Sequence, residues 1–338
     1  MNISTFIGVG ENLHCTRIFK VGGKYCREKD GGAFVIRYGG ETGPAELPVP
    51  GTFTERADWE AGKVKHCAVA IWQGNYGDDA GQAAGKDYLA ALARSQETNG
   101  ATYLDVNLDE FSTDIEERVR LMKWTVGIVQ EASSLPVSVD SSNLDILRAG
   151  LEAVDPERGR PMVNSVSLER TDAVDLAREF DAVVIASAAG AAGLPTDVDG
   201  RMNNLAELMP ALKESGFSLD RIHIDPLVFP VSVDVANGKQ FLDACRAVRE
   251  TYGPEVHCVA GLSNVSFGMP NRKLINQVFA YLAVEHGADG GIVDPAQINR
   301  KILNSLDTES DEFKLARDLV MGEDEFGMNY ITAMRSGS

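Results

Sequence analysis

Short runs of β-forming residues alternate with amphipathic helical patterns from about residue 100 onward in this chain of 338 residues. Such alternation is typical of parallel sheets, in which a helix follows each strand and covers the sheet. With an opening strand at 3–8, the pattern predicts eight strands, the number found in a (β/α)8 barrel. They cover 3–8, 101–107, 136–140, 161–165, 182–186, 221–225, 256–260 and 290–294. The predicted fold class is α/β, a single TIM barrel spanning residues 1–338.

One long segment, residues 9–84, interrupts this alternation between the first strand and a helix that begins near Gly85. It is rich in Gly and Pro and contains β-like pieces such as 33–38. Because the insertion follows a strand, we expect it at the carboxyl-end face, where the active sites of such barrels lie. Segments this long are often functional, but a lid, a docking surface and a structural extension all stay open.

The charge and hydropathy of the chain limit its partners. The net charge of −18 argues against nucleic acid or an anionic membrane as a ligand, since phosphate groups would be repelled. No apolar run is long enough to span a bilayer, and residues 1–8 lack the basic start and apolar stretch of a secretory signal. We therefore expect a cytoplasmic protein without nucleic-acid or membrane partners.

Five cysteines are present without a Cys-x-x-Cys pair, so a disulfide framework is not expected. Three of them follow a histidine directly, in His14-Cys15, His66-Cys67 and His257-Cys258. A zinc site is one interpretation of these dipeptides. Adjacent residues of a strand point to opposite faces, however, so each dipeptide offers only one ligand to a common site. We favour buried structural cysteines and expect no bound metal.

Polar residues stand at the carboxyl ends of most predicted strands. They are Asp105, Asn107, Asp140, Asn164, Asp225, Asn264 and Asp294. In a barrel these ends converge on one face, and several carboxylates and amides facing one cavity are costly to bury without a ligand. A single aspartate at such a position is more often a helix cap, which stays open for Asp140 and Asp294. The set as a whole predicts a binding site.

The composition of this set narrows the ligand. Few Lys or Arg residues accompany the acidic groups, which disfavours a phosphate-rich substrate, and no Gly-x-Gly-x-x-Gly follows a strand, which disfavours a dinucleotide. An aspartate can accept two parallel hydrogen bonds from a ring N–H and an adjacent amino group. Carboxylates and amides together therefore suit a heterocycle with several N–H donors and ring acceptors, such as a pterin.

Several of these segments resemble the motifs of methyltetrahydrofolate:corrinoid methyltransferases, which also occur in the folate domain of cobalamin-dependent methionine synthase. The segments are 104–107, 138–143, 163–165, 224–227 and 261–268. The resemblance covers residues 1–8 and roughly 85–300, in order. The block Gly-Leu-Ser-Asn-Val-Ser-Phe-Gly at 261–268 is the most specific part. The Asp-x-Asn and Ile-Asp-Pro pieces are shared with dihydropteroate synthases.

This resemblance implies a role for each strand-end residue. Asp225 would bind the amide N–H and amino group of the pterin ring. Asp140 and Asn164 would hydrogen-bond other edges of the ring. Asp105 and Asn107 would shape the floor of the pocket.

The resemblance also implies catalytic residues, Asn264 and Asp140. Asn264 matches an amide placed near the methyl-bearing nitrogen, where it would assist protonation of that nitrogen. Glu11 falls in the family's Gly-Glu start and would belong to the pterin site, although Asn12 stands where the family usually has Arg. Arg272 would meet the anionic tail of folate, or would be a surface residue of its helix. A further departure is 187–190, which lacks the polar residue that family members carry after the fifth strand.

The implied reaction is the transfer of a methyl group between (methyl)tetrahydrofolate and the cobalt of a corrinoid. No Asp-x-His-x-x-Gly cobalamin motif is present, so we expect the corrinoid to come from a separate corrinoid protein that docks at the barrel face, or as free cofactor. The direction stays open, and transfer to tetrahydrofolate would suit a demethylation pathway. A homodimer is expected from the family. Two alternatives are a dihydropteroate synthase-like condensation and a non-catalytic pterin-binding subunit.

Overall fold

The computed structural model describes residues 3–336. Its first part contains short strands and helices before a long helix. These are β1 (Ile7–His14), β2 (Ile18–Lys20), β3 (Cys26–Glu28), β4 (Phe34–Gly40), β5 (Gly43–Pro48), α1 (Gly51–Thr54), α2 (Ala57–Glu60), β6 (Lys63–Lys65), α3 (His66–Tyr76) and α4 (Asp79–Thr98).

Strands and helices then alternate as the sequence predicts. The strands are β7 (Tyr103–Asn107), β8 (Val137–Asp140), β9 (Met162–Val166), β10 (Val183–Ser187), β11 (Ile222–Asp225), β12 (His257–Gly261) and β13 (Gly290–Val293). The helices are α5 (Ile115–Ala132), α6 (Leu144–Ala153), α7 (Asp172–Glu179), α8 (Val198–Glu214), α9 (Ala236–Tyr252), α10 (Arg272–Glu285), α11 (Arg300–Asn304), α12 (Asp311–Val320) and α13 (Met328–Ser336).

Eight of the strands form a closed barrel in the order β1-β13-β12-β11-β10-β9-β8-β7. Neighbouring strands are parallel, as in the pairing of Ile7–Gly10 with Gly290–Val293 that joins the first strand to the last. The predicted (β/α)8 TIM barrel is therefore confirmed. The connecting helices are amphipathic, and α5 begins at Asp114, whose side chain accepts hydrogen bonds from the N–H groups of Glu116 and Glu117.

The chain divides into two compact units. The first unit comprises Met1–Gly10, Asn99–Tyr103 and Met162–Ser338, and the second comprises Glu11–Thr98 and Leu104–Pro161. In the first unit, the side chains of Val9, Met162, Ile185 and Val259 belong to one buried apolar cluster. The second unit holds β7 from Leu104 on, β8 and the insertion that follows β1. The expectation of one domain over 1–338 stays a prediction.

The opening strand differs from the predicted one. Ile3–Thr5 form a 3-10 turn, and β1 runs from Ile7 to His14 rather than over 3–8. The strand continues because Val9 and Leu13 are fully or almost fully buried, while its polar residues find polar partners. Residues 9–14 thus belong to the barrel and α4 already begins at Asp79. The inserted segment is 15–78 instead of 9–84.

The insertion contains an antiparallel sheet of β3, β4 and β5 and a separate β2–β6 pair. The three-stranded sheet packs on helix α4 within the second unit. The hydroxyl of Tyr38 donates to Asp87 Oδ2 at 3.0 Å, and its ring meets Tyr88 edge-on at a centroid distance of 4.8 Å. Gln73 Nε2 of α3 donates to the carbonyl of Pro48 at 2.8 Å. These contacts make the three-stranded sheet a cover for α4.

Within residues 3–336, no helix combines the length and the apolar character needed to cross a membrane.

Candidate functional site

Three titratable side chains lie together in the second unit, where β1, β7 and β8 bring His14, Asp105 and Asp140 near one another. His14 Nε2 and Asp105 Oδ2 are 2.7 Å apart, a hydrogen-bond distance. The ring nitrogen and one oxygen of each carboxylate all lie within 4.8 Å of one another. Asp105 is fully buried, and the side chain of His14 is 12% exposed. We call these three residues the acid–histidine cluster.

The environment raises the pKa of Asp140 to about 7. Burial is the largest cause, and the negative charge of Asp105 adds to it, whereas the charge of His14 and a hydrogen bond from Asn107 lower it. The pKa of His14 is also raised: burial lowers it, but the hydrogen bond and charge of Asp105 outweigh that effect. Asp140 therefore takes up or releases a proton near neutral pH.

Asp109 connects the loops that follow β7 and β8 through hydrogen bonds. Its carboxylate accepts hydrogen bonds from Ser141 Oγ at 2.6 Å and from the backbone N–H and hydroxyl of Ser142, both at 2.8 Å. Its own N–H donates to Asn107 Oδ1 at 3.0 Å. Asn107 and Asp140 are register partners on β7 and β8. Asp109 thus ties the loop that follows β7 to the residues that directly follow Asp140.

Glu11 is buried in β1 and forms an ion pair with Arg17. The same guanidinium lies 3.5 Å from Asn12 Oδ1. This arrangement ties the start of the insertion to the strand from which it leaves. The predicted contact of Glu11 with a pterin stays a prediction.

In the first unit, Asp225 ends β11 and turns its carboxylate toward its own loop. Its Oδ1 accepts a hydrogen bond from the N–H of Leu227 at 2.8 Å. Leu227 has a positive φ of 67°, so the chain bends sharply after the strand. Burial raises the pKa of Asp225 to about 6, although the Leu227 N–H and the charge of Arg201 oppose this rise.

Arg201 of α8 stabilises this bend through hydrogen bonds to backbone carbonyls. It is fully buried, and its Nε donates to the carbonyl of Pro226 at 2.7 Å. A second nitrogen lies 3.5 Å from the carbonyl of Leu227. A buried guanidinium is stable only when its donors are satisfied, and here backbone carbonyls of the Asp225 loop supply acceptors. Arg201 therefore positions Asp225 through its backbone.

Asn164 lies near the carboxyl end of β9 and is 9% exposed. The next residue, Ser165, accepts a hydrogen bond from Arg170 Nη2 through its hydroxyl at 2.6 Å. On the neighbouring strand β10, Ser187 accepts from the N–H of Ala189 at 3.3 Å. The departure noted at 187–190 is thus a compact turn, and Asn204 Nδ2 donates to the carbonyl of Ala188 within it at 2.9 Å.

Asn264 stands on a 3-10 turn, Leu262–Ser266, directly after β12. It is exposed, and its side-chain amide forms no hydrogen bond within residues 3–336. Arg272 at the start of α10 holds this turn: its Nη2 donates to the carbonyl of Ser263 at 2.8 Å and its Nε to Ser266 Oγ at 3.0 Å. Arg272 is thus a support for the Asn264 turn, and its predicted contact with the folate tail stays a prediction.

All five cysteines are free and buried. The histidines that precede three of them have different partners: His14 meets Asp105, His66 meets the hydroxyl of Tyr88 at 3.0 Å, and His257 meets Asp289 at 2.8 Å. The expected burial of the cysteines is confirmed, and the expectation of no bound metal stays a prediction.

The structure brings Asp105, Asn107 and Asp140 together within the second unit. Asn164, Asp225, Asn264 and Arg272 belong to the first unit. Asn164 lies within β9, Asp225 ends β11, and Asn264 and Arg272 follow β12. Sequence reasoning missed His14 as a partner of the acids. It also missed Asp109 and Arg201, whose hydrogen bonds hold the loops after the strand ends. The sequence after each strand gave no indication of these two residues, because their partners are backbone groups and serines of other loops.

The sequence matches the family of pterin binding enzymes over residues 78–294. A methylcorrinoid:tetrahydrofolate methyltransferase from Eubacterium limosum is 33% identical over 256 residues, which cover 74% of this chain and 88% of that protein. The chain belongs to the pterin binding enzymes. The resemblance to methyltetrahydrofolate:corrinoid methyltransferases is confirmed by this relative.

Solved structures of dihydropteroate synthases share the fold of this pterin binding enzyme. The enzyme from Vibrio fischeri ES114 aligns with a TM-score of 0.53 and 16% identity, over 68% of this chain and 87% of that one. The enzyme from Xanthomonas albilineans in complex with 7,8-dihydropteroate aligns with a TM-score of 0.52 and 20% identity, over 67% and 86%. At this identity the likeness shows the barrel fold alone.

The position of Asn264 can be tested through Gly261. A Cβ at Gly261 would lie 3.1 Å from Asn264 Nδ2, closer than an ordinary contact, so Gly261→Ala must push the amide away. The φ of Gly261 is −70°, which alanine adopts freely. We expect a melting temperature within a few degrees of the parent and a loss of methyl-transfer activity of about tenfold or more, since small misplacements of a reacting group are costly. Unchanged activity would show that the Asn264 amide is not needed in this position.

The buried charge of Asp225 predicts a pH-dependent stability. A native pKa of about 6 against the ordinary 3.8 means that ionisation of Asp225 opposes folding, an effect absent below pH 4 and complete above pH 6. Asp225→Asn keeps the acceptor for Leu227 and removes the charge. We expect this variant to unfold with a higher free energy than the parent at pH 8, by at most about 3 kcal/mol, and with only about a third of that difference at pH 4.5.

Urea denaturation at the two pH values measures this effect. Asp30→Asn, at an exposed residue of the insertion, is the matched control and should change the free energy of unfolding equally at both. The prediction is wrong if Asp225→Asn also shows no dependence on pH.

Proposed function

We propose that this pterin binding enzyme transfers a methyl group between the cobalt of a corrinoid and the pterin of tetrahydrofolate. The observation that carries the proposal is the exposed amide of Asn264, which stands at a strand end on a turn that Arg272 holds in place. A relative named methylcorrinoid:tetrahydrofolate methyltransferase, 33% identical over most of its length, supports the same reaction. Its name also supplies the direction we propose, from methylcorrinoid to tetrahydrofolate.

We propose that the pterin is bound by strand-end carboxylates and amides. Asp225 would accept hydrogen bonds from the ring N–H and amino group, and its bend is held by Arg201 from inside the first unit. Asn164 and Asp140 would bind other edges of the ring, and Asp105 and Asn107 would line the pocket. Support for these roles comes from the place of each residue at or near the carboxyl end of its own barrel strand.

The reaction makes a particular demand at the methyl-bearing nitrogen. In the proposed direction, the lone pair of this nitrogen forms a bond to the methyl carbon, and the carbon–cobalt bond breaks with its electron pair left on cobalt. The nitrogen is then positively charged until it loses its proton. An amide meets this demand at both stages, because its oxygen accepts a hydrogen bond from the protonated nitrogen and its N–H donates to the neutral one.

The rigid support of Asn264 fits this role. An amide that stabilises a transient charge must be held in place before the charge develops, since its reorientation would cost part of the gain. Two hydrogen bonds from Arg272 to Ser263 and Ser266 fix the turn on both sides of Asn264. A simple binding protein has no need of an amide held in this manner, which favours the enzyme over a non-catalytic subunit.

The corrinoid is a substrate in this proposal and would be brought by a separate corrinoid protein. We also carry forward the homodimer as a proposal from the family. The alternative of a dihydropteroate synthase-like condensation gains no support beyond the shared fold, because the structural likeness stays at or below 20% identity.

Asn264→Ala separates catalysis from binding. We expect the rate of methyl transfer to fall at least about 100-fold, as for the loss of one donor to a developing charge, while the Kd for tetrahydrofolate changes only a few-fold. The rate is followed in single-turnover mixing of methylcobalamin with the enzyme–tetrahydrofolate complex, and the Kd by calorimetry.

Asn304→Ala is the matched control, because Asn304 is an exposed asparagine of α11 whose amide donates to its own helix. This control should leave rate and affinity as in the parent. Transfer by Asn264→Ala at the parental rate would contradict the catalytic role of the amide.

A further inference from the structure

His14 has no part in the proposed reaction, yet it sits against two of the groups assigned to the pterin pocket. Its Nε2 lies 2.7 Å from Asp105 Oδ2, and Asp140 completes a set whose polar atoms lie within 4.8 Å. Two carboxylates at this separation repel each other in a medium that water hardly screens. A protonated imidazole close to both offsets that repulsion, so the charges of the three groups depend on one another.

The charged and polar groups that act on Asp140 come from two strands and one loop of the second unit. Asp105 and Asn107 face it from β7, His14 from β1, and Asp109 from the loop after β7. Arg118 reaches Asp109 at 3.5 Å, and Glu11 acts on His14 while paired with Arg17. Among these groups, His14 is the one cation that acts directly on Asp140. Its removal would leave Asp140 beside Asp105 and Asp109, with Arg118 on Asp109 as the nearest remaining cation among the groups named.

We propose that His14 is a positioning residue that controls the charge of Asp140: its imidazolium, held on Asp105, keeps Asp140 a carboxylate in the pH range in which the pterin binds. This inference rests on the proposed function in its assignment of Asp140 to the pterin. Loss of the imidazolium would extend the protonation of Asp140 to higher pH. A protonated carboxyl would then donate a hydrogen bond at a position where the bound ring needs an acceptor.

The charge of Asp140 can be measured without any ligand. The protein is labelled with ¹³C at the aspartate side-chain carboxyl carbon, and the resonance that disappears in Asp140→Asn is followed from pH 5 to pH 9. His14→Gln keeps a side-chain N–H that can donate to Asp105, but this side chain cannot become positively charged. We expect the midpoint of Asp140 to rise in His14→Gln by about one pH unit or more. A midpoint unchanged from the parent value would overturn the proposal.

His257→Asn is the matched control. His257 forms the other His–Asp pair, with Nδ1 2.8 Å from Asp289 Oδ2, at the amino end of β12. Asparagine replaces its donor, and this variant should leave the Asp140 midpoint unchanged. If His14→Gln does not fold, the reciprocal measurement decides: the ¹⁵N titration of His14 should shift to lower pH in Asp140→Asn, and an unshifted midpoint would count against the coupling.

The affinity for tetrahydrofolate then tests the consequence for binding. In the parent, Kd should weaken as pH falls through the Asp140 midpoint. In His14→Gln this weakening should begin at higher pH, so that affinity near pH 7.5 drops at least about threefold while the value at pH 9 is retained. A shift of the Asp140 midpoint together with an affinity that does not depend on pH would support the coupling to His14. It would contradict the role of Asp140 in pterin binding, which belongs to the proposed function.

Discussion

Closure of the barrel between β1 and β13 is the constraint on which the rest of the structure depends. The two strands pair in parallel from Ile7 with Gly290 to Gly10 with Val293. A side chain at Gly290 would place its Cβ 2.5 Å from the carbonyl oxygen of Ile7, so only glycine permits this approach. Gly290 is therefore a requirement of closure. The register of this pairing also fixes where β1 passes beyond Gly10 to carry Glu11 and His14.

The buried carboxylates of the site lower the stability of the folded protein. Burial raises the pKa of both Asp140 and Asp225, which means that each ionised carboxylate opposes folding at neutral pH. The surroundings offset only part of this cost, through His14 for Asp140 and through Arg201 for Asp225. Groups with perturbed pKa values cluster at functional sites, because binding and catalysis need buried polar groups that do not stabilise the fold. Asp109 and Arg201 hold the backbone of these loops and keep the polar strand ends in place before any ligand arrives.

The sequence predicted the fold and most strand-end residues because both follow from local pattern. Alternation of strand and helix gave the eight-stranded barrel, and Asp140 and Asp225 do end β8 and β11. The end of β1 was placed wrongly at residue 8, because Glu11 and His14 resemble loop residues until their partners Arg17 and Asp105 are known. Their pairing depends on tertiary contacts across 91 residues in the case of His14. No periodicity in one sequence can reveal such contacts.

The reaction itself is the central claim, and a visible-spectrum assay under anaerobic conditions tests it most directly. The enzyme is mixed with methylcobalamin and tetrahydrofolate, and the absorbance of the corrin is followed together with the formation of methyltetrahydrofolate. The account predicts that the methylcobalamin bands give way to those of the reduced corrinoid, with one methyltetrahydrofolate formed per corrinoid consumed. An unchanged spectrum with a competent corrinoid protein present, and with tetrahydrofolate bound, would contradict it.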